Sequence, residues 1–168
     1  LPQKPAGLNA LWRVASAQAL RADPRPGGTG VRTATAISLM AMAAPRTLQA
    51  AAPDRAGAER LIESFVARGE GQPIDLAYRI EASRDYDPAE QLDRVVGPVL
   101  NVNFADDPLY PPTLDPMPGV TARYSTIRSI IVPAGSRTSG HGTLADPALW
   151  PAAVEAFIRS ALERGSSS

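Results

Sequence analysis

An α/β fold whose first half is purely helical is the class this sequence predicts, and three observations carry it. Residues 1 to about 85 are rich in Ala and Arg and divided by Pro/Gly clusters, a pattern of short helices. Two later runs, Val99-Leu100-Asn101-Val102-Asn103-Phe104 and Arg128-Ser129-Ile130-Ile131-Val132-Pro133, are short, rich in β-branched residues and bounded by Pro or Asp. An amphipathic segment, residues 151–164, closes the chain.

Taken in order, residues 9–22 read as a helix, with Leu11, Ala15, Ala19 and Trp12 on a shared face. Asp23-Pro24-Arg25-Pro26-Gly27-Gly28 ends it, because Pro cannot continue the hydrogen-bond ladder. A second helix is expected over residues 32–42, its apolar run ending at Pro45. A third is expected over 55–68, capped by Asp54, striped by Leu61, Ile62, Phe65 and Val66, and stopped by Gly69. A fourth covers 74–82. The closing helix is expected to turn Val154, Phe157, Ile158 and Leu162 inward, with Gly165 as its stop. Two buried strands cannot form a stable sheet alone, since a parallel sheet needs neighbouring strands and cover on both faces. The pattern is that of part of a domain whose remaining strands come from a partner.

Composition removes several functions. Lys plus Arg and Asp plus Glu each number 17 in 168 residues, and the Arg residues are scattered. No basic stripe is present to draw in nucleic acid. With no Cys, thiolate chemistry, disulfides and Cys-based zinc sites are excluded. No apolar run reaches membrane-spanning length. The compartment stays open between cytoplasm and periplasm or exterior. Leu1-Pro2-Gln3-Lys4-Pro5 lacks the apolar core of a signal peptide and has no Met, so processing or deliberate truncation is expected to create this end. Ser166-Ser167-Ser168 reads as a frayed tail.

The chemistry concentrates after the two strands. His141, the only histidine, sits in Ser139-Gly140-His141-Gly142-Thr143. Glycines on both sides let a loop hold the imidazole away from the backbone, and histidine is the usual general base near neutral pH. Ala105-Asp106-Asp107-Pro108-Leu109-Tyr110-Pro111-Pro112 follows the first strand. An Asp there, braced by prolines, can orient an imidazole and stabilise the imidazolium. The same Asp-Pro pattern also suits a plain turn. A metal held by Asp106, Asp107 and His141 is the weaker alternative, for want of a third strong ligand at a recognisable spacing. Gly27-Gly28-Thr29-Gly30 follows a helix and lacks the Lys-Ser/Thr ending of a phosphate loop. No Gly-x-Ser-x-Gly occurs.

Arg84-Asp85-Tyr86-Asp87-Pro88, Asn103-Phe104-Ala105-Asp106-Asp107 with Pro111-Pro112, and Gly140-His141-Gly142-Thr143 together resemble the homoserine O-acetyltransferase-like branch of the α/β-hydrolases. The stretch from Asn9-Ala10-Leu11-Trp12-Arg13 to Arg21-Ala22-Asp23-Pro24 is similar to the start of that branch's helical lid. The resemblance implies the C-terminal part of an α/β-hydrolase fold, with residues 1–88 as cap and 89–168 as core. It implies Asp107 as triad acid, chosen over Asp106 because the Asp-x-Leu-x-Pro pattern starts there, and His141 as base. The order acid, strand, His, closing helix fits that layout. The nucleophilic Ser and oxyanion hole are expected to precede Leu1 on a companion chain that carries Gly-x-Ser-x-Gly. The pair of chains would arise by proteolytic processing or as separate products.

One local departure is Asp115-Pro116-Met117-Pro118-Gly119, which is expected to shorten or break the helix that the family places after the acid loop. Arg13 and Arg21 are candidates for a substrate carboxylate, though such residues more often sit on a solvated helix face or bridge to Asp23. Tyr110 is placed to line the pocket. Arg84, Asp85 and Asp87 read as a structural ion-pair turn, and Trp12 and Trp150 as packing residues.

The function expected is serine acyl transfer on a small acyl ester, with hydrolysis favoured over O-acyl transfer. No cofactor or metal is expected; acetyl-CoA enters only as co-substrate of a transferase. A further dimer through the cap, and no nucleic-acid or membrane partner, complete the expectation. The competing class is a non-catalytic fragment or binding subunit that keeps the fold.

Overall fold

The computed structural model describes residues 5–69 and 73–165. The readings of Leu1–Lys4 and of Ser166–Ser168 lie outside these residues. The chain is α/β, with several helices and a two-stranded parallel sheet, and it divides in sequence between Asp87 and Pro88 into two compact units.

The first unit holds α1 (Gly7–Ala22), α2 (Thr29–Met42), α3 (Pro45–Ala51), α4 (Arg55–Arg68) and α5 (Pro73–Glu81). Its core is small-residue packing: Ala17, Leu20, Ala34, Ala77 and Ile80 are buried together, with Trp12, Ala19 and Val31 against them. The crossing of α1 and α2 is close. A methyl added at Gly30 would fall well inside contact distance of the Ala19 and Asp23 carbonyl oxygens. The turn between these helices is built around Asp23. Its carboxylate accepts the Thr29 amide at 2.8 Å, which caps α2, and the Arg25 Nε–H at 2.7 Å. The Arg25 guanidinium holds this carboxyl well below the usual carboxylate range. A carboxyl with a depressed folded pKa stabilises above its unfolded value and ceases to do so as pH falls through the folded value. Gly27, at φ +68°, turns the chain where a side chain would be strained.

Several expectations shift here. Of the expected α1 face, Trp12 and Ala19 pack against the core but Leu11 is 69% exposed, and the fully buried residues are Asn9, Ser16, Ala17 and Leu20. An Ala-rich helix satisfies helical periodicity on more than one face, and packing against α2 and α5 decides which one is buried. The second helix starts at Thr29 rather than 32, because the Asp23 cap reaches back over Gly28. Pro45 ends the apolar run and also opens α3 as its first residue, where its missing N–H costs nothing. On α4, Asp54 accepts the Gly57 amide at 2.7 Å, and Phe65 is exposed with the Arg68 guanidinium 4.4 Å over its ring. The expected four-residue stripe of α4 therefore loses Phe65.

The second unit carries β1 (Val99–Phe104) and β2 (Ile127–Val132), parallel and in register from Val99 opposite Ile127 to Phe104 opposite Val132. Between them lies α6 (Met117–Arg123), and after them α7 (Pro151–Gly165). The prolines after the acid loop shorten α6 to 7 residues without abolishing it. Pro118 falls in the first turn, and the Asp115 carboxylate accepts the Met117 amide at 2.9 Å. Phe104, Leu109, Met117, Ile127 and Thr143 are the buried centre. Most of both strands is only half buried, and Ile131 is exposed. On α7, Val154 and Phe157 are half buried, but Ile158 and Leu162 are 51% and 70% exposed. The inward stripe expected of this helix is half realised, because within the unit too little apolar surface lies opposite its second half.

Gly30→Ala is expected to cost about 1–3 kcal/mol by forcing α1 and α2 apart, whereas Gly97→Ala, with open space around it, should leave the urea unfolding midpoint nearly unchanged. Equal midpoints for the two variants would contradict the close crossing.

Candidate active site

The acid loop begins where β1 ends. The Ala105 amide still donates to the Val132 carbonyl at 2.9 Å, and the Asp107 amide then turns back to the Phe104 carbonyl at 3.2 Å. This turn drives the Asp107 side chain inward, to 2% exposure. A buried carboxylate needs donors, and here three converge. Oδ1 accepts the amides of Leu109 at 2.9 Å and Tyr110 at 3.3 Å, with Pro108, which has no N–H, between them and the acid. Oδ2 lies 2.8 Å from His141 Nδ1. Asn103, buried in β1, steadies the far side by donating from Nδ2 to the Tyr110 carbonyl at 2.9 Å.

The histidine loop follows β2. Gly140 takes φ +73°, open to glycine at little cost. The buried Thr143 accepts the Ser139 amide on Oγ1 at 2.8 Å and donates its own amide to the Gly140 carbonyl at 3.0 Å. These two bonds close a tight bracket around Gly140-His141-Gly142. A short 3₁₀ turn, Gly142–Ala145, leads away from the ring. Before it, Thr138 receives the Gly135 amide at 3.0 Å and donates its hydroxyl to Asp106 Oδ2 at 2.7 Å.

The two acidic neighbours thus separate: Asp107 meets the imidazole, and Asp106 turns to the threonine. An ionised carboxylate only accepts, so Nδ1 carries the proton of the neutral ring and Nε2 keeps its lone pair. The His141 side chain is 23% exposed, and its ring centroid lies 5.9 Å from that of Tyr110 at an interplanar angle of 44°. A basic nitrogen that is oriented, half enclosed and flanked by an aromatic wall can take a proton from a hydroxyl presented to it. Among the described residues no hydroxyl hydrogen-bonds Nε2, and no group of three or more His, Asp or Glu is arranged to hold a metal ion.

Of the other candidates, Arg13 and Arg21 lie on α1 in the first unit. Arg13 donates from Nε to Asn9 Oδ1 at 2.8 Å and from Nη1 to Ser83 Oγ, and lies 4.9 Å over the Trp12 ring. Arg21 pairs with Glu81. Arg84 and Asp85 form the expected pair at 3.4 Å, largely exposed. The Gly27–Gly30 turn gives its Thr29 amide to Asp23, not to an anion. Three supports escaped the sequence reading: Asn103, Thr138 and Thr143. Thr143 adjoins the Gly-His-Gly motif, which was the available signal for it, whereas Thr138 bonds across the fold.

No protein-family model matches the chain, and no curated protein matches it.

Gly140→Ala is expected to destabilise by about 1–2 kcal/mol, the cost of a side chain at positive φ. A urea unfolding curve that superimposes on wild type would contradict the strained bracket.

Proposed function

We propose that this chain is the acid- and histidine-bearing part of a serine acyl-transfer enzyme of the α/β-hydrolase fold, similar to the homoserine O-acetyltransferase-like branch. The observation that carries the reading is the 2.8 Å contact between a buried, doubly anchored Asp107 carboxylate and His141 Nδ1. An ionised acid that receives two amides and an imidazole N–H has the arrangement acyl transfer needs of its orienting group.

In this reading a serine on a companion chain attacks the carbonyl carbon of a small acyl ester or thioester. His141 Nε2 takes the serine proton as the bond forms and returns it to the leaving oxygen or sulfur. Asp107 holds the ring in one tautomer and stabilises the imidazolium between those two transfers. The acyl group then passes to water, the favoured outcome, or to an acceptor hydroxyl. Tyr110 borders the ring as pocket wall.

The companion chain also completes the sheet in this proposal. Support comes from the half-buried strands and the exposed Ile131, Ile158 and Leu162, apolar side chains that added strands and helices would cover.

His141→Ala should abolish turnover while leaving the circular dichroism spectrum intact, and Asp107→Asn should lower kcat by roughly 10⁴-fold by favouring the wrong tautomer. A serine-directed fluorophosphonate should label a companion chain and spare this one. Label on Ser139, or full activity in His141→Ala, would overturn the assignment.

A further inference from the structure

The geometry points to Asp106 and Thr138 as a latch that positions His141, a role separate from the Asp107–His141 pair and resting on the reading of that pair as catalytic.

Among the described residues the imidazole has one hydrogen bond to the acid loop, the 2.8 Å bond to Asp107, beside its tilted ring contact with Tyr110. A single hydrogen bond fixes a distance, and a tilted ring contact at 5.9 Å sets orientation only weakly. The acid loop and the histidine loop leave from adjacent parallel strands, and each is a turn braced mainly by hydrogen bonds within itself. Relative drift of the two loops is therefore opposed by few bonds. The Thr138 hydroxyl supplies a second tie. It donates to Asp106 Oδ2 at 2.7 Å while receiving the Gly135 amide at 3.0 Å. Thr138 is 5% exposed, so this bond forms where water competes weakly.

Two ties from consecutive residues, Asp106 and Asp107, to residues 138 and 141 clamp the loops at two points. Thr138 and His141 are then linked through Ser139 and the Thr143 bracket. Loss of the latch lets the histidine loop shift while Asp107 stays buried on its two amides. The Nδ1–H bond lengthens and the tautomer preference weakens. Asp106 and Thr138 are positioning residues: they act on the substrate only through the orientation of Nε2.

The single histidine makes this directly readable. In the protein as purified, with any accompanying chain, ¹⁵N-histidine spectra give the imidazole nitrogens and the Nδ1–H proton. The His141 signals are those that vanish in His141→Ala. Wild type should show one neutral tautomer with a far-downfield, slowly exchanging Nδ1–H, and Asp107→Asn should remove it. Thr138→Val should broaden or lose that proton and mix the tautomers, and Thr138→Ser should restore it. Asp106→Ala tests the other end of the same bond should Thr138→Val fold poorly, and the double variant should be no worse than either single one. In turnover, Thr138→Val should lower kcat by roughly 10- to 100-fold with KM little changed. A wild-type Nδ1–H signal in both Thr138→Val and Asp106→Ala overturns the latch and leaves the pair standing. A ring that Asp107→Asn does not alter overturns the pair, and the latch with it.

Discussion

A carboxylate taken out of water at Asp107 is the constraint around which the second unit is arranged. An unpaired charge at that depth would cost several kcal/mol. The cost is offset by two backbone amides and an imidazole N–H, each hydrogen bond to a charged group contributing about 1.5–3 kcal/mol. Each donor imposes a structural demand. The amides of Leu109 and Tyr110 require the chain to fold back immediately after β1, which Pro108 favours by fixing its own φ. The imidazole requires the loop after β2 to reach the same point, which the parallel, in-register pairing of the strands makes possible. Glycine at 140 and threonine at 143 then aim the ring. The sheet register, the acid turn and the histidine bracket thus serve one buried charge.

The first unit is organised on a different principle. Its helices cross closely at Ala and Gly positions, and this close approach packs around a few larger side chains, Leu20, Ile80, Trp12 and Val31. Such packing leaves little room for compensation, since a single methyl at Gly30 cannot be absorbed by rotamer changes in neighbours made of backbone. Its outer surface retains apolar groups. An open apolar groove of about 380 Å³ between α2, α3 and α4 is lined by Leu39, Met40, Leu48, Leu61 and Ile62 among others.

What could be read from the residues alone follows the range of the interaction concerned. Both strands were legible, because β-branched runs bounded by Pro and Asp are local signals, and β2 is shifted by one residue at each end, to Ile127–Val132. The helix at 55–68 was legible to the residue from its Asp54 cap and Gly69 stop. Asp107 could be separated from Asp106 by the Asp-x-Leu-x-Pro pattern, whose Leu and Tyr amides are the ones that bind it. The buried face of α1 was not legible, since alanine marks no side as inner until α2 is in place. The part played by Thr138 was hidden for the same reason: a hydroxyl bond across 32 residues has no local signature. The exposed half of α7 was misread because its apolar stripe is real, while the surface it would cover is not supplied within the unit.

In the proposed function, Asp107 and His141 activate a hydroxyl carried by another polypeptide. Native mass spectrometry of the active sample tests this most directly. The account predicts that turnover follows a species heavier than the 17.7 kDa chain, and that denaturation releases a second polypeptide containing Gly-x-Ser-x-Gly. Full turnover by the 17.7 kDa chain alone would contradict it.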